Sequence, residues 1–411
     1  MKMTSKQFLA IVFTTLLTAG ALLLAARTFQ RKDREFKYRP FFRDKTEYDV
    51  LFFGTSHVFC GVFPMQLWHD WGITSYNFGE NGAPIPTSYW VMRNAVRYHK
   101  PKIAVLDTYE VSSPKFDKRG FRFFLDIFPM TPTKLLAIRD LTDSKNYEKF
   151  LTNYEIYHNR WKEMSISDRF DSLFHSDYTK TKGAREITSN EISIAVPNTY
   201  EQTNELFDQS TIAMNYIRKF VDFCNKNDII PILINIPYPA NEIEQKKANA
   251  VTLLAQELGV PYYNMLRMNI VDYDTDCNDS NHLNPSGAYK VTDFLGHMLN
   301  RYGVGGDFDH RSDFFYKSWH NDYAEYKKSK LVVTENFKNS LMLLNCNKDT
   351  YSLRLFLPEG TELDRVEQKL VAQLGENIAV EYVPASSGTA RRRGILHDIE
   401  NNFDTELVWQ K

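Results

Sequence analysis

Cysteine, net charge and long apolar runs are all scarce in this 411-residue chain. The four cysteines (Cys60, Cys224, Cys277 and Cys346) are widely spaced and form no C-x-x-C pair, so neither a disulfide framework nor a thiolate metal site is supported, and buried free thiols are expected. Fifty basic residues against 51 acidic ones leave a formal net charge of −1. That near-balance excludes a global pull towards nucleic acid. Only one apolar run is long, F-L-A-I-V-F-T-T-L-L-T-A-G-A-L-L-L-A-A at residues 8–26. As a helix it would measure about 28 Å, close to the hydrocarbon thickness of a bilayer. The rival to an anchor is a cleavable signal peptide, but the run is long for one and no clean A-x-A site follows. Residues 1–34 are therefore expected to be a single-pass transmembrane anchor.

What is abundant is less selective. Aromatics make up 14%, with 29 Phe and 23 Tyr, which suits a carbohydrate-facing surface and equally a well-packed core. The length allows a large core and more than one domain.

The rest of the chain is organised around residues 47–57, E-Y-D-V-L-F-F-G-T-S-H. Val50 to Phe53 read as a short buried strand, which Gly54 ends, leaving Ser56 on the following turn. A hydroxyl at the carboxyl end of a strand in an α/β unit lies where such sheets bind ligands. A turn serine alone means little. More than two hundred residues later, D-S-N-H-L-N-P-S-G-A sets Asp279 and His282 three apart, just before a helix opening at Pro285 or Ser286. A serine needs a base to take its proton, and the base needs an orienting carboxylate. Ser56, His282 and Asp279 supply all three, with Asp274 and Asp276 as nearby substitutes for the orienter. An ordinary imidazole is largely neutral near pH 7, as a general base must be.

Alternating elements surround these residues. After the first strand come a helix from Pro64 to Gly72, a strand at Ile73–Asn77, a helix at 87–99 and a strand at Lys102–Asp107. Residues 112–208, rich in Phe, Tyr, Lys and Asp, break the rhythm. They are expected to be an insertion of short helices and loops, either a lid over the sheet's carboxyl edge or a packing ornament. The pattern resumes with a helix at 210–226, a strand at Ile229–Ile236, a helix at 241–258, a strand at Val260–Asn264 and a helix from about Ser286 to Tyr302. The fold class is thus α/β, a doubly wound flavodoxin-like parallel sheet. Ser56, Gly79, Asp107, Asn235 and His282 all follow strand ends, so one sheet edge can collect them. Residues 303–330 read as a linker. Residues 331–411 read as a small α+β accessory domain, with Leu353–Leu357, a helix near Leu363–Leu374 and Ile378–Val383. Arg391 to Arg393 close a basic stretch that either meets an anionic polymer or is a solvated loop.

Three blocks together resemble the SGNH (GDSL-like) hydrolase superfamily over residues 45–302. Gly54-Thr55-Ser56-His57 resembles its first block, Asn77-Phe78-Gly79-Glu80-Asn81-Gly82 its glycine block, and Asp279-Ser280-Asn281-His282-Leu283 its closing D-x-x-H-L block. The resemblance implies Ser56 as nucleophile, His282 as base and Asp279 as orienter. It also implies an oxyanion site from the Ser56 and Gly79 N–H groups, since a glycine lets backbone approach closely. Asn81 would brace the glycine block, and His57 would be a neighbour. The family's G-x-N-D block is missing. The third strand ends Val105-Leu106-Asp107-Thr108-Tyr109, so Asn235 and Asp107 are the candidates for a third donor. No cofactor or metal is implied.

Anchored members of this type work on envelope polymers beside multi-pass membrane O-acyltransferases. The resemblance therefore implies a serine O-acyltransferase or carbohydrate esterase. Its partner would be a cell-surface polysaccharide or teichoic-acid-like polymer, and its catalytic domain would lie outside the cell membrane. Arg27, Arg31, Lys32 and Arg34 after the apolar run favour the opposite orientation, but large domains translocate despite flanking charge. A non-catalytic scaffold that binds glycan is the reading from another class. The segment V-P-A-S-S-G-T-A-R-R-R also resembles the close of adenylate-forming ligases. Thr389 stands where those have Lys, and no nucleotide-binding body is present, so no function follows from it.

Overall fold

A computed structural model describes residues 4–29, 32–117, 121–122, 128–143, 180–185, 202–306, 308–384 and 391–409, with a few isolated residues between 147 and 165. The expected lid at 112–208 lies largely outside the described residues. The chain divides into two compact units, one of residues 1–44 and 116–179 and the other of residues 45–115 and 180–411.

The first unit holds α1 (Ser5–Phe29), α2 (Lys32–Arg43) and, further along, the helix Pro132–Leu141. Among the described residues, α1 is the one helix long and apolar enough to cross a membrane. In α2, Tyr38 and Phe41 are buried, and Phe42 meets Phe128 edge to face at 5.2 Å.

The second unit is built on five parallel strands, β1 (Val50–Gly54), β2 (Ser75–Gly79), β3 (Ile103–Asp107), β4 (Ile230–Asn235) and β5 (Tyr262–Asn264). Their order, β2-β1-β3-β4-β5, is the doubly wound flavodoxin-like order. Every residue of β1, β2 and β3 is buried, as expected of strands covered by helices on both faces. The strand order reverses between β1 and β3, so their carboxyl ends flank the crevice where such folds hold ligands. Between and after the strands run α3 (Ser56–Gly61), α4 (Pro64–Trp71), α5 (Ile85–Ala95), α6 (the helix Pro132–Leu141 of the first unit), α7 (Ile212–Lys226), α8 (Glu242–Leu258) and α9 (Pro285–Asn300).

Three differences from the sequence expectation have physical causes. The second strand starts at Ser75 rather than Ile73, because Val50 pairs with Ser75 and the register admits buried Ser75 and Asn77. The fifth helix starts earlier, at Ile85, with a proline in its first turn where the missing N–H costs nothing. The expected linker at 303–330 contains α10 (Lys317–Ser329). Its Trp319 and Tyr326, seven apart and thus on one helix face, are buried. Trp319 donates its indole N–H to Thr46 at 2.9 Å and packs under the Lys182 ammonium at 4.2 Å.

The edge strand β2 is covered. Asn77 donates its N–H to the Lys182 carbonyl at 2.9 Å. Gly183 beside it has φ +90°, and a Cβ there would meet the Asn77 carbonyl oxygen at 2.2 Å.

Residues 331–411 carry their own core, around Leu341, Leu355, Leu370 and Trp409, within the same compact unit as the α/β sheet. Helices α11 (Phe337–Asn345) and α12 (Arg365–Leu374) accompany β6 (Tyr351–Pro358), β7 (Ile378–Val383), β8 (Arg392–Asp398) and β9 (Phe403–Trp409). The sheet order is β7-β6-β8-β9, with β6 parallel to β7 and the other pairs antiparallel. The β-α-β expectation captured the first half only. Arg392 is no solvated loop residue. It lies in β8, ion-paired to the buried Glu367 and stacked over Phe337 at 4.5 Å.

Trp319→Ala should cost about 3–5 kcal/mol, because it empties a fully buried indole site and removes the hydrogen bond to Thr46. A urea midpoint close to the wild-type value would show that α10 is not integral to the body.

Candidate active site

Ser56 opens α3 directly after β1. Thr55 caps the helix by accepting the His57 N–H at 3.2 Å. So short a helix leaves most of its backbone groups without intrahelical partners. Asn77, fully buried at the middle of β2, supplies some of them. Its Nδ2 donates to the Val58 and Val62 carbonyls at 2.7 and 2.8 Å. The nucleophile candidate therefore stands on a helix held from both ends.

The acid–base loop is similarly constrained. Cys277 and Leu283 form an antiparallel bridge, and the Asn278 N–H donates to the His282 carbonyl at 2.8 Å, folding the intervening residues back on themselves. Asp279 Oδ1 accepts the backbone N–H groups of Asn281 and His282, both at 2.8 Å. Within this turn His282 Nδ1 lies 2.9 Å from both Asp279 oxygens, and its Nε2 lies 2.9 Å from Ser56 Oγ. With the proton on Nδ1, the imidazole donates to the carboxylate and accepts from the serine hydroxyl. Burial pushes the Asp279 carboxyl up, but the hydrogen bonds from Asn281 and His282 outweigh it and hold it below its ordinary value. Asp279 thus stays anionic, as an orienter must. The substitutes are engaged elsewhere. Asp274 pairs with Lys369 and Arg365, and the fully buried Asp276 pairs with Lys290.

The glycine block differs from its expected role. The Gly79 N–H donates to Asn77 Oδ1 at 2.9 Å, and a Cβ at Gly79 would meet the Phe59 nitrogen at 2.4 Å. This glycine exists so that β2 can pack against the α3 backbone, and its N–H is already committed. Gly82, in the turn beyond, has φ +60° and open space where a Cβ would be. The Gly82 and Ser56 N–H groups have no acceptor among the described residues. Only the block's length in the sequence hinted at the later glycine. Asn81 is an exposed turn residue beside it. Asn235 and Asp107 are both buried at strand ends. Asp107 packs beneath the Gly54 turn, where a Cβ on Gly54 would lie 2.7 Å from its Cβ.

His57 has a larger place than sequence reasoning assigned it. It is buried, stacks on Tyr109 at 3.9 Å, meets Tyr238 edge-on at 4.8 Å, and lies 6.0 Å from the His282 ring. These three aromatics follow the ends of β1, β3 and β4 and wall the reversal point. Their positions just past strand ends were the available signal. Neither ring nitrogen of His57 has a hydrogen-bond partner among the described residues. Burial, with His282 nearby, pushes its pKa down to about 3, so it is a neutral aromatic and not a second base. Burial pushes Asp107 up to about 7, against backbone hydrogen bonds from Ile236 and Tyr109.

No family model matches the chain, and no curated protein does. Among solved structures, the chain is similar to a protein assigned to the lipolytic G-D-S-L family from Desulfitobacterium hafniense DCB-2. That alignment has 13% identity and a TM-score of 0.32, covering 61% of this chain and 98% of the other. A gut microbial diltiazem-metabolizing enzyme aligns at 12% identity and a TM-score of 0.21, over 62% of this chain and 47% of that one. The functional reading rests on the geometry of the site itself.

The two shifted groups beside the serine act on stability with opposite signs. The fold keeps His57 neutral down to about pH 3, whereas the unfolded chain protonates it below about 6.5, so its contribution is present above pH 6.5 and is lost as pH falls. The fold keeps Asp107 protonated up to about pH 7, whereas the unfolded chain ionises it above about 3.8, so its contribution is lost as pH rises. Between about pH 4 and 6.5 the two slopes offset each other. Asp107→Asn removes one of them. Its unfolding free energy should then fall on acidification more steeply than that of wild type, by about 1.4 kcal/mol per pH unit. Urea titrations at several pH values check this, and an unchanged slope would contradict the paired burial.

Proposed function

We propose that the chain is a membrane-anchored SGNH-type serine enzyme that transfers an acyl group to a cell-surface polysaccharide. The observation that carries the chemistry is the continuous chain Ser56–His282–Asp279, with both links at 2.9 Å. Ser56 Oγ attacks the ester carbonyl carbon while its proton passes to His282 Nε2. The N–H groups of Ser56 and Gly82 stabilise the resulting oxyanion. Collapse of the tetrahedral intermediate expels the alcohol, which takes the proton from His282, and leaves an ester on Ser56. A second hydroxyl then gives its proton to His282, attacks the acyl carbon and releases Ser56. If that hydroxyl belongs to a sugar, the outcome is O-acyl transfer. If it belongs to water, the same machinery is a carbohydrate esterase. Transfer is favoured by α1, whose bilayer length would hold the enzyme beside a membrane-delivered donor, with the catalytic unit outside the cell membrane. A multi-pass O-acyltransferase is the partner that would deliver such a donor.

Labelling by a fluorophosphonate probe tests the nucleophile. Ser56→Ala should abolish labelling and turnover with the fold intact. Asp279→Asn should lower the rate by on the order of 10⁴-fold by favouring the wrong imidazole tautomer. Wild-type turnover in Ser56→Ala would remove the serine mechanism.

The acceptor is tested in cells. A form starting near Asp33 and exported by a cleavable signal should hydrolyse a small activated ester yet acylate the envelope polymer poorly. Equal acylation by tethered and untethered forms would reduce α1 to an address. Normal acylation in cells carrying Ser56→Ala would favour a binding scaffold.

A further inference from the structure

One helix of residues 331–411 grips the loop that leads into the acid–base turn. On α12, Lys369 Nζ lies 2.8 Å from Asp272 Oδ2 and 2.6 Å from Asp274 Oδ2. Arg365, one turn earlier, reaches Asp274 Oδ2 at 2.6 Å. Gln373, one turn later, donates to Thr275 Oγ1 at 3.0 Å. Three side chains spaced four apart on one face thus hold three of the four residues from 272 to 275.

We infer that α12 is a positioning element for the Asp279–His282 pair, through Lys369, Arg365 and Gln373. The connection is a short chain of hydrogen bonds. The Thr275 carbonyl accepts from Asn284 Nδ2 at 2.7 Å, and the Asn284 N–H donates to the Asp276 carbonyl at 3.0 Å. Asn284 is two residues from His282 and caps α9 by accepting the Gly287 N–H. On its other side the loop is pinned to α9 by Asp276. That carboxylate takes Lys290 at 2.6 Å, Ser286 at 2.9 Å and the Asp272 N–H at 2.7 Å. The segment 272–276 is therefore clamped between α9 of the catalytic body and α12 of the accessory unit, and the acid–base turn hangs from it.

Stability is a poor explanation for this arrangement. The Lys369 and Arg365 side chains are 33% and 78% exposed, and such pairs add little to folding. What they do restrict is the loop's position. A base must stay within hydrogen-bond reach of its hydroxyl, and small displacements there weigh heavily on rate. This places the accessory unit in the chemistry without giving it a catalytic residue.

The inference rests on the serine reading above, and its test separates the two. Full-length Lys369→Glu and Lys369→Arg proteins are compared with wild type by amide hydrogen exchange over residues 272–284 and by fluorophosphonate labelling rate. Lys369→Glu places a third anion against Asp272 and Asp274. It should speed exchange in this segment and slow labelling by about tenfold, while the exchange of β1 and β3 stays as in wild type. Lys369→Arg should restore both readouts, as should Lys369→Asp combined with Asp274→Lys. Wild-type exchange across 272–284 in Lys369→Glu would overturn the clamp. Faster exchange with an unchanged labelling rate would overturn its positioning role. If wild type itself is not labelled, the serine reading fails, and the exchange comparison still decides whether α12 holds the loop.

Discussion

A serine hydroxyl and an imidazole 226 residues apart in sequence meet at 2.9 Å, and the α/β body is arranged around that one contact. The parallel sheet brings both to one edge. Asn77 holds the six-residue helix under Ser56 by bonding the Val58 carbonyl within it and the Val62 carbonyl just past its end. The bridge between Cys277 and Leu283, with the Asx turn of Asp279, sets the imidazole's direction. No part of this is strong alone, since one hydrogen bond contributes on the order of 1 kcal/mol to folding. Precision comes from each partner being fixed by several bonds to backbone, so that neither side can drift without breaking more than one.

Chemistry that restricts residue type was legible in the sequence. A D-x-x-H turn before a helix admits few substitutes, and buried parallel strands betray themselves as apolar runs such as Val50–Phe53. Roles decided by backbone geometry were not legible. Gly79 and Gly82 are alike in sequence, yet one N–H is committed to Asn77 and the other has no acceptor among the described residues, a difference set by φ and by the approach of α3. The start of β2 was hidden because Ser75 and Asn77 are polar residues buried by register. Helix α10 was hidden because its sequence is mostly charged and polar, and Trp319 and Tyr326 are its two buried side chains. Arg392 looked solvated because its partners, Glu367 and Phe337, lie 25 and 55 positions away.

The wall beside Ser56 departs from ordinary polar satisfaction. His57 carries two buried ring nitrogens without partners among the described residues, which is costly. Stacking on Tyr109 offsets part of that cost. In the proposed mechanism, keeping His57 neutral also avoids placing a cation 6.0 Å from a ring that accepts a proton from Ser56. A protonated neighbour would resist that transfer by like-charge repulsion.

The cover over β2 has a consequence for association between molecules. An uncovered outer strand offers a row of N–H and C=O groups to any other strand it meets. Here the Lys182 carbonyl occupies one of those groups, and the chain comes that close because residue 183 has no side chain. The methyl group of an alanine would push the segment away from Asn77 and bare part of the strand. Gly183 therefore keeps that strand edge covered, and an edge left bare is open to pairing with another strand.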